Sequence, residues 1–381
     1  MRQSVFAVAR AAMAVLAIAA SGMPVAQAAT FTVLHSFDDR HGATPIGALA
    51  VDAAGNVYGT TSEGGRYGHG TLFQYSPGAF RTLHNFRGGS DGAAPLGGLL
   101  IGADGTRLYG TTSTGGPADA GTVFEMDASG AYRVVASFDG GAQGRNVQAG
   151  LAQDAAGLLY GAAMMGGDAQ SGFGTIFRLD PASGAITTLH TFLGDDGAWP
   201  VATPLIANGL LHGTGWGGTV FAMGMDGSGY TRLGYGTNQD GYFAAGQTAD
   251  ASGNYWGVAM DGYGSDTGDI YRIDAGQNFS YVFDFDDEDF HVGANPTGTL
   301  VLGADGRLYG TTRRGGPGTC RCGTVFGYDT ATGQLATLHA FNGTDGAGPW
   351  AGLVPDGAGN FYGVTQSGGK HGAGTLFRIT P

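Results

Sequence analysis

The stretch LYGTTSTGGPADAGTVFEMDASG, residues 108–130, is written several times along the chain. VYGTTSEGGRYGHGTLFQYSPG occupies 57–78, LYGTTRRGGPGTCRCGTVFGYDTATG 308–333 and FYGVTQSGGKHGAGTLFRITP 361–381. Self-similarity at a fixed period marks an array of one supersecondary unit, so the period decides the architecture. The Gly after the anchor residue stands at 59, 110, 161, 213, 257, 310 and 363, in steps of 51, 51, 52, 44, 53 and 53 residues. Thr-apolar-Phe follows at Phe73, Phe124, Phe177, Phe221, Phe326 and Phe377, with Tyr271 in the fifth unit. Leu-His-x-Phe recurs at 34–37, 83–86, 189–192 and 338–341, and Phe138 and Phe285 end its variants. Seven units fit the chain.

Each unit reads as four short strands. In the second, PLGGLLIGADG, RLYGTTS, GTVFEMD and AYRVVASF are separated by turn residues. Aspartates at 52, 104, 127, 154, 226, 250, 305 and 356 lie beside glycines able to take the positive φ of tight hairpins. Four antiparallel strands in about fifty residues make a β-propeller blade. The expectation is an all-β, seven-bladed β-propeller with blades near 42–86, 92–138, 144–192, 197–236, 241–285, 292–341 and 346–381. The segment TFTVLHSF (30–37) matches a fourth strand and the C-terminal GTLFRITP a third, so residues 30–37 are expected to complete the last blade. Pairing them removes two open edges.

Composition agrees. There are 75 glycines in 381 residues without a three-residue period, only 13% charged residues, and 42% hydrophobic ones, which excludes both collagen and disorder. Arg2 and Arg10, the run AAMAVLAIAA and Ala26-Gln27-Ala28 form the three-part pattern of a secretory signal peptide cut after Ala28. No second apolar run follows, so the expectation is a secreted or periplasmic monomer with no membrane span after signal removal. A formal charge of −13, with Lys370 the only lysine, argues against nucleic acid as a partner. Cys320 and Cys322 stand one residue apart, which in an exported chain reads as a local disulfide or two free thiols.

The repeated [LVF]-Y-G-T-T-x-x-G-G…G-T-[VLI]-F unit resembles the GloVer tandem-repeat family of exported bacterial proteins, across nearly all of residues 30–381. The resemblance implies a propeller and brings no catalytic residue. Members often carry C-terminal surface anchors, and this chain ends at a third strand, which reads as free secretion or periplasmic residence.

Chemistry is sought where the repeat is spelled differently. The loops joining strands two and three share a face with the links between blades, and loops on a rigid frame are where binding residues collect. On that face a binding site for an extracellular glycan or a protein is expected around Trp199, Trp216, Tyr242, Tyr263, Trp350 and Asp240, because aromatic rings stack on sugars and carboxylates accept hydroxyl hydrogen bonds. The alternative is a polysaccharide lyase or hydrolase using His69 with Arg66 and Tyr67, or His371 with Arg313 and Arg314, as base and charge neutraliser. The repeated His35, His84, His190 and His339 read as structural. Calcium, an oxygen-seeking cation, is the one cofactor considered, at Asp286, Asp287 and Asp289, whose spacing is not that of an EF-hand. No nucleophile elbow, zinc motif or phosphate loop is present.

Overall fold

Short apolar runs closed by glycine turns leave the strand as the regular element, and the computed structural model is built from strands, with a single 3-10 turn at Gly89–Asp91 among the described residues. The structure describes residues 29–167, 172–235, 245–261, 267–285 and 290–381. The strands form seven antiparallel sheets, six of them made of consecutive segments from the axis outward. Blade 1 comprises Ala50–Val51, Val57–Thr61, Thr71–Ser76 and Ala79–Asn85. Blades 2 to 6 repeat it, the sixth with an additional short strand at Ala294–Pro296. Blade 7 contributes Val354–Pro355, Phe361–Thr365 and Thr375–Thr380, and its outer strand is Thr30–Ser36. That pairing runs antiparallel from Thr30 opposite Thr380 to Ser36 opposite Thr375. The chain is a seven-bladed β-propeller closed by its N-terminal strand. No helix is long and apolar enough to cross a membrane among the described residues.

The recurrent Tyr-Gly-Thr-Thr and Thr-x-Phe elements explain each other. A Cβ on Gly161 would stand 2.5 Å from Cζ of Phe177, and one on Gly310 2.6 Å from Cζ of Phe326. Both rings are fully buried. Each blade thus lays a phenylalanine across a bare backbone, and the ring joins a core shared with the adjoining blade. Full burial of such a side chain stabilises by about 1.5–3 kcal/mol. In blade 5 the ring is Tyr271, also fully buried, and Gln247 stands beside its hydroxyl where blades 1, 2, 3, 6 and 7 have Leu.

Two features depart from the strand pattern read above. The innermost strands are far shorter than the PLGGLLIGADG segment, with only Leu100–Ile101 laddered in blade 2. The residues before them serve the neighbouring blade instead. Thr111 Oγ1 donates to the carbonyl of Ala149 at 2.9 Å, Thr214 to that of Ala245 at 2.8 Å, and Thr311 to that of Ala351 at 3.0 Å. Glycine permits this approach, since a Cβ on Gly97 would lie 2.6 Å from the Ala149 oxygen. In addition, each outer strand carries a register shift beside the Thr-x-Phe element, as between Leu72 and Phe73 or Ile176 and Phe177. The Leu of Leu-His-x-Phe is the extra residue of that bulge, which re-aims the histidine that follows.

Candidate functional site

The Asp hairpins occupy one face. There the carboxylates hold their own turns and also accept hydrogen bonds from the anchor aromatics: Tyr58 to Asp52 at 3.1 Å, Tyr160 to Asp154 at 3.0 Å, Trp256 Nε1 to Asp250 at 2.8 Å, Tyr309 to Asp305 at 2.6 Å. Hydrogen bonds from Asn56 and Tyr58 keep the Asp52 carboxyl below its ordinary range against the opposing effect of burial. This face is braced by its polar groups.

The repeated histidines are equally committed. His84, His190 and His339 lie 2.9, 2.9 and 3.1 Å from Asp91, Asp196 and Asp345. Their rings stack on Tyr132, Tyr230 and Phe31 of the next outer strand, at 3.9, 4.2 and 3.5 Å between centroids. His35 stacks likewise on Phe80, but the position of the partner Asp is filled by His41, which pairs with Asp38. His35 Nε2 is therefore buried without a hydrogen-bond partner. Burial lowers His35 to about 4, with Asp38 opposing, and burial lowers His212 to about 4 as well. Both values lie below the free 6.5, so the unfolded chain takes up these protons first. The stabilising contribution is complete above pH 6.5 and declines as pH falls toward 4. Replacing His41 by Asp should supply the missing acceptor and raise the His35 value, read by NMR titration of the imidazole; an unchanged value would contradict the pairing scheme.

The first candidate group lies at the rim of the loop face. The Arg66 amide is bonded to Asn85, the last residue of the outer strand of blade 1, at 2.8 Å. Arg66 and Arg87 flank the exposed ring of Tyr67, 5.4 and 5.8 Å from its centroid, and exposed His69 lies against the Gly88 backbone. His371 is exposed in blade 7, next to Lys370, whose amide is bonded to Ser36 of the closing strand. Among the described residues no hydrogen bond or ion pair joins His371 to Arg313 or Arg314. Cys320 and Cys322 face one another in a disulfide contact, Cα atoms 5.1 Å apart, across Arg321 at φ 51. Asp240, Tyr242, Tyr263, Asp286, Asp287 and Asp289, and the signal-like segment 1–28, lie outside the described residues.

The axis is different. All seven innermost segments converge on a cavity of about 150 Å³ at the loop-face end, lined by Ile46, Leu96, Gln148, Val201, Thr297 and Trp350 among others. Trp216 reaches the same cavity from the shortened loop of blade 4. Its Nε1 is screened from solvent and has no hydrogen-bond partner. Among the described residues no charged side chain lines the cavity. Arg313 is not one of its lining residues, but its guanidinium carbon lies 4.6 Å from the centroid of the ring of Trp350, which is one.

Aligning the blades shows why these residues meet. Three positions after the anchor glycine stand Ser62, Ser113, Met164, Trp216, Met260, Arg313 and Gln366. Ser62 and Ser113 turn their hydroxyls onto the Thr44 and Ala94 carbonyls, at 2.9 and 3.0 Å, whereas Trp216 and Arg313 present large side chains at the same position. Trp199 does not line the cavity. It takes φ 53, its N–H donates to Phe173 at 2.7 Å and its carbonyl accepts from Trp216 at 3.2 Å, and its ring packs on Phe173. Thr44, Ala94, Asn146 and Asn295 hold the same left-handed conformation, so this position clasps neighbouring blades.

The profile of the Gloeobacter/Verrucomicrobia repeat matches residues 23–217 and 214–381. The chain belongs to that repeat family. No curated protein matches it. Among solved structures it resembles the extracellular domains of two hybrid two-component systems of B. thetaiotaomicron, at 11% identity with TM-score 0.63 and at 13% with 0.62. Each match covers 91% of this chain, which spans only 39% and 41% of those domains. An oligogalacturonate lyase from Vibrio parahaemolyticus matches at 10% identity and TM-score 0.57, over 93% of this chain and 97% of the lyase. At such identities the likeness is one of fold.

Proposed function

We propose that this family member is an exported binding propeller that seats the terminal unit of an extracellular carbohydrate in the axial cavity of its loop face. The observation carrying this reading is the pair of indoles, Trp216 and Trp350, that line one cavity from blades 4 and 7. Indole faces pack against the apolar face of a sugar ring. A cavity of about 150 Å³ falls below the roughly 300 Å³ at which drug-sized pockets begin. It therefore suits the end of a chain whose other units lie across the face. A protein partner is the weaker reading, because Val33, Tyr67 and Leu193 are the exposed large hydrophobics among the described residues. Export rests on the signal-like residues 1–28. The elimination chemistry of a lyase needs a base beside the sugar, and the two unrepeated histidines considered for it, His69 and His371, belong to loops braced against outer strands.

The test is a screen of neutral and acidic oligosaccharides, followed by titration calorimetry on the best binder. Trp350→Ala and Trp216→Ala are each expected to lose about 2 kcal/mol, a ~30-fold weaker Kd, whereas Tyr67→Ala at the rim leaves affinity unchanged. Equal affinity for all four proteins would remove the site from the axis.

A further inference from the structure

We infer that the sugar seated on the axis carries a carboxylate, and that Arg313 is the residue that reads it; this rests on the axial carbohydrate site proposed above.

The cavity lining is uncharged among the described residues: Gln148 and the hydroxyls of Thr203, Thr297 and Thr299 can each donate or accept. The guanidinium of Arg313 lies over the ring of Trp350, which lines the cavity. Among the described residues no Asp or Glu lines the cavity, in a chain with 31 of them and a formal charge of −13. A neutral sugar needs acceptors as well as donors, and in lectin-like sites carboxylates are the side chains best able to accept from its hydroxyls. With no carboxylate among the described lining residues and a cation over Trp350, the site favours a ligand that brings its own negative charge.

Arg313 is half-buried and has no carboxylate partner among the described residues, with Arg314 next to it. Burial, and then the charge of Arg314, lower its affinity for its proton, the mark of a cation without a counter-charge. An arginine sheltered in this way is ordinarily paired. Its planar fork matches a carboxylate with two parallel hydrogen bonds. The guanidinium lies over the Trp350 ring, which keeps the fork at this indole. A uronic acid satisfies both requirements in one residue, ring against indole and carboxylate against guanidinium.

The experiment titrates the whole mature chain with trigalacturonate, its methyl ester and neutral maltotriose at low salt. The wild type should bind trigalacturonate at least tenfold more tightly than the ester. Arg313→Gln should bind the acid and the ester alike, with an unchanged melting temperature. Arg314→Gln, which removes the same charge without the Trp350 stack, should keep most of the discrimination. If the wild type binds the neutral or esterified sugar as well as the acid, the inference falls and the axial carbohydrate site stands. If none of the three binds and the indoles are indifferent to all of them, the site falls and the inference with it. Equal loss in the two arginine variants would assign the preference to net charge and overturn the role of Arg313.

Discussion

Deleting residues 29–37 will lower the melting temperature by more than 15 °C or abolish the cooperative transition. The segment supplies the outer strand of blade 7, and its Phe37 is fully buried, 5.1 Å from Phe73. Phe31 stacks on His339 at 3.5 Å and packs on Phe377 at 5.3 Å. Losing one buried Phe costs about 3–5 kcal/mol. The deletion also removes a second aromatic anchor and a whole ladder, against a total stability of roughly 5–15 kcal/mol. The exposed edge at Thr375–Thr380 should then pair with other chains, so aggregation is expected on heating. A synthetic peptide of residues 29–41 should restore the transition by adding the strand back. A deletion variant that melts like the intact chain would show that the ring does not depend on this closure.

The second large effect concerns the glycine of the repeat. Gly161→Val places a branched side chain where a Cβ alone would be 2.5 Å from the Phe177 ring. Overpacking of this kind costs about 1–3 kcal/mol and more where the backbone cannot move. Here Gly161 sits in the middle of a five-residue ladder, opposite Phe177. Phe177→Ala alone should cost about 3–5 kcal/mol through the cavity it leaves. The double variant is the informative one. The valine fills part of the space vacated by the ring, so the two losses should sum to clearly more than the double variant loses. Additive losses, measured by denaturant unfolding, would mean that glycine and phenylalanine do not answer each other.

The repeat made the ring legible, because strand number, turn chemistry and the phase of the two chain ends are local properties of the sequence. The site was legible only in part. Trp216 and Trp350 stand out as aromatics where the repeat has none, yet they meet only because every blade returns to one axis. Arg313 drew notice as one of a pair with Arg314, and its place beside Trp350 follows from a position that is serine in blades 1 and 2. Reading that position down the seven units, from Ser62 to Gln366, is the signal that finds it. The left-handed clasp of Thr44, Ala94 and Trp199 leaves no such trace, since residues of many kinds occupy it, and the bulge falls on a Leu or Val that reads as an ordinary strand residue. Trp199 shows the consequence: an aromatic residue suited to a binding face by its type is committed by its backbone to holding two blades together.

Four tryptophans allow the binding site to be read in one spectrum. Trp199, Trp216, Trp256 and Trp350 give four indole N–H signals in a ¹⁵N correlation experiment. Trp256 is buried and donates to Asp250 on the opposite face, and so serves as the internal reference. On addition of trigalacturonate the Trp216 and Trp350 signals should shift together with one apparent Kd, while Trp256 stays in place. Shifts confined to Trp256, or a saturated complex in which neither Trp216 nor Trp350 moves, would contradict the axial site.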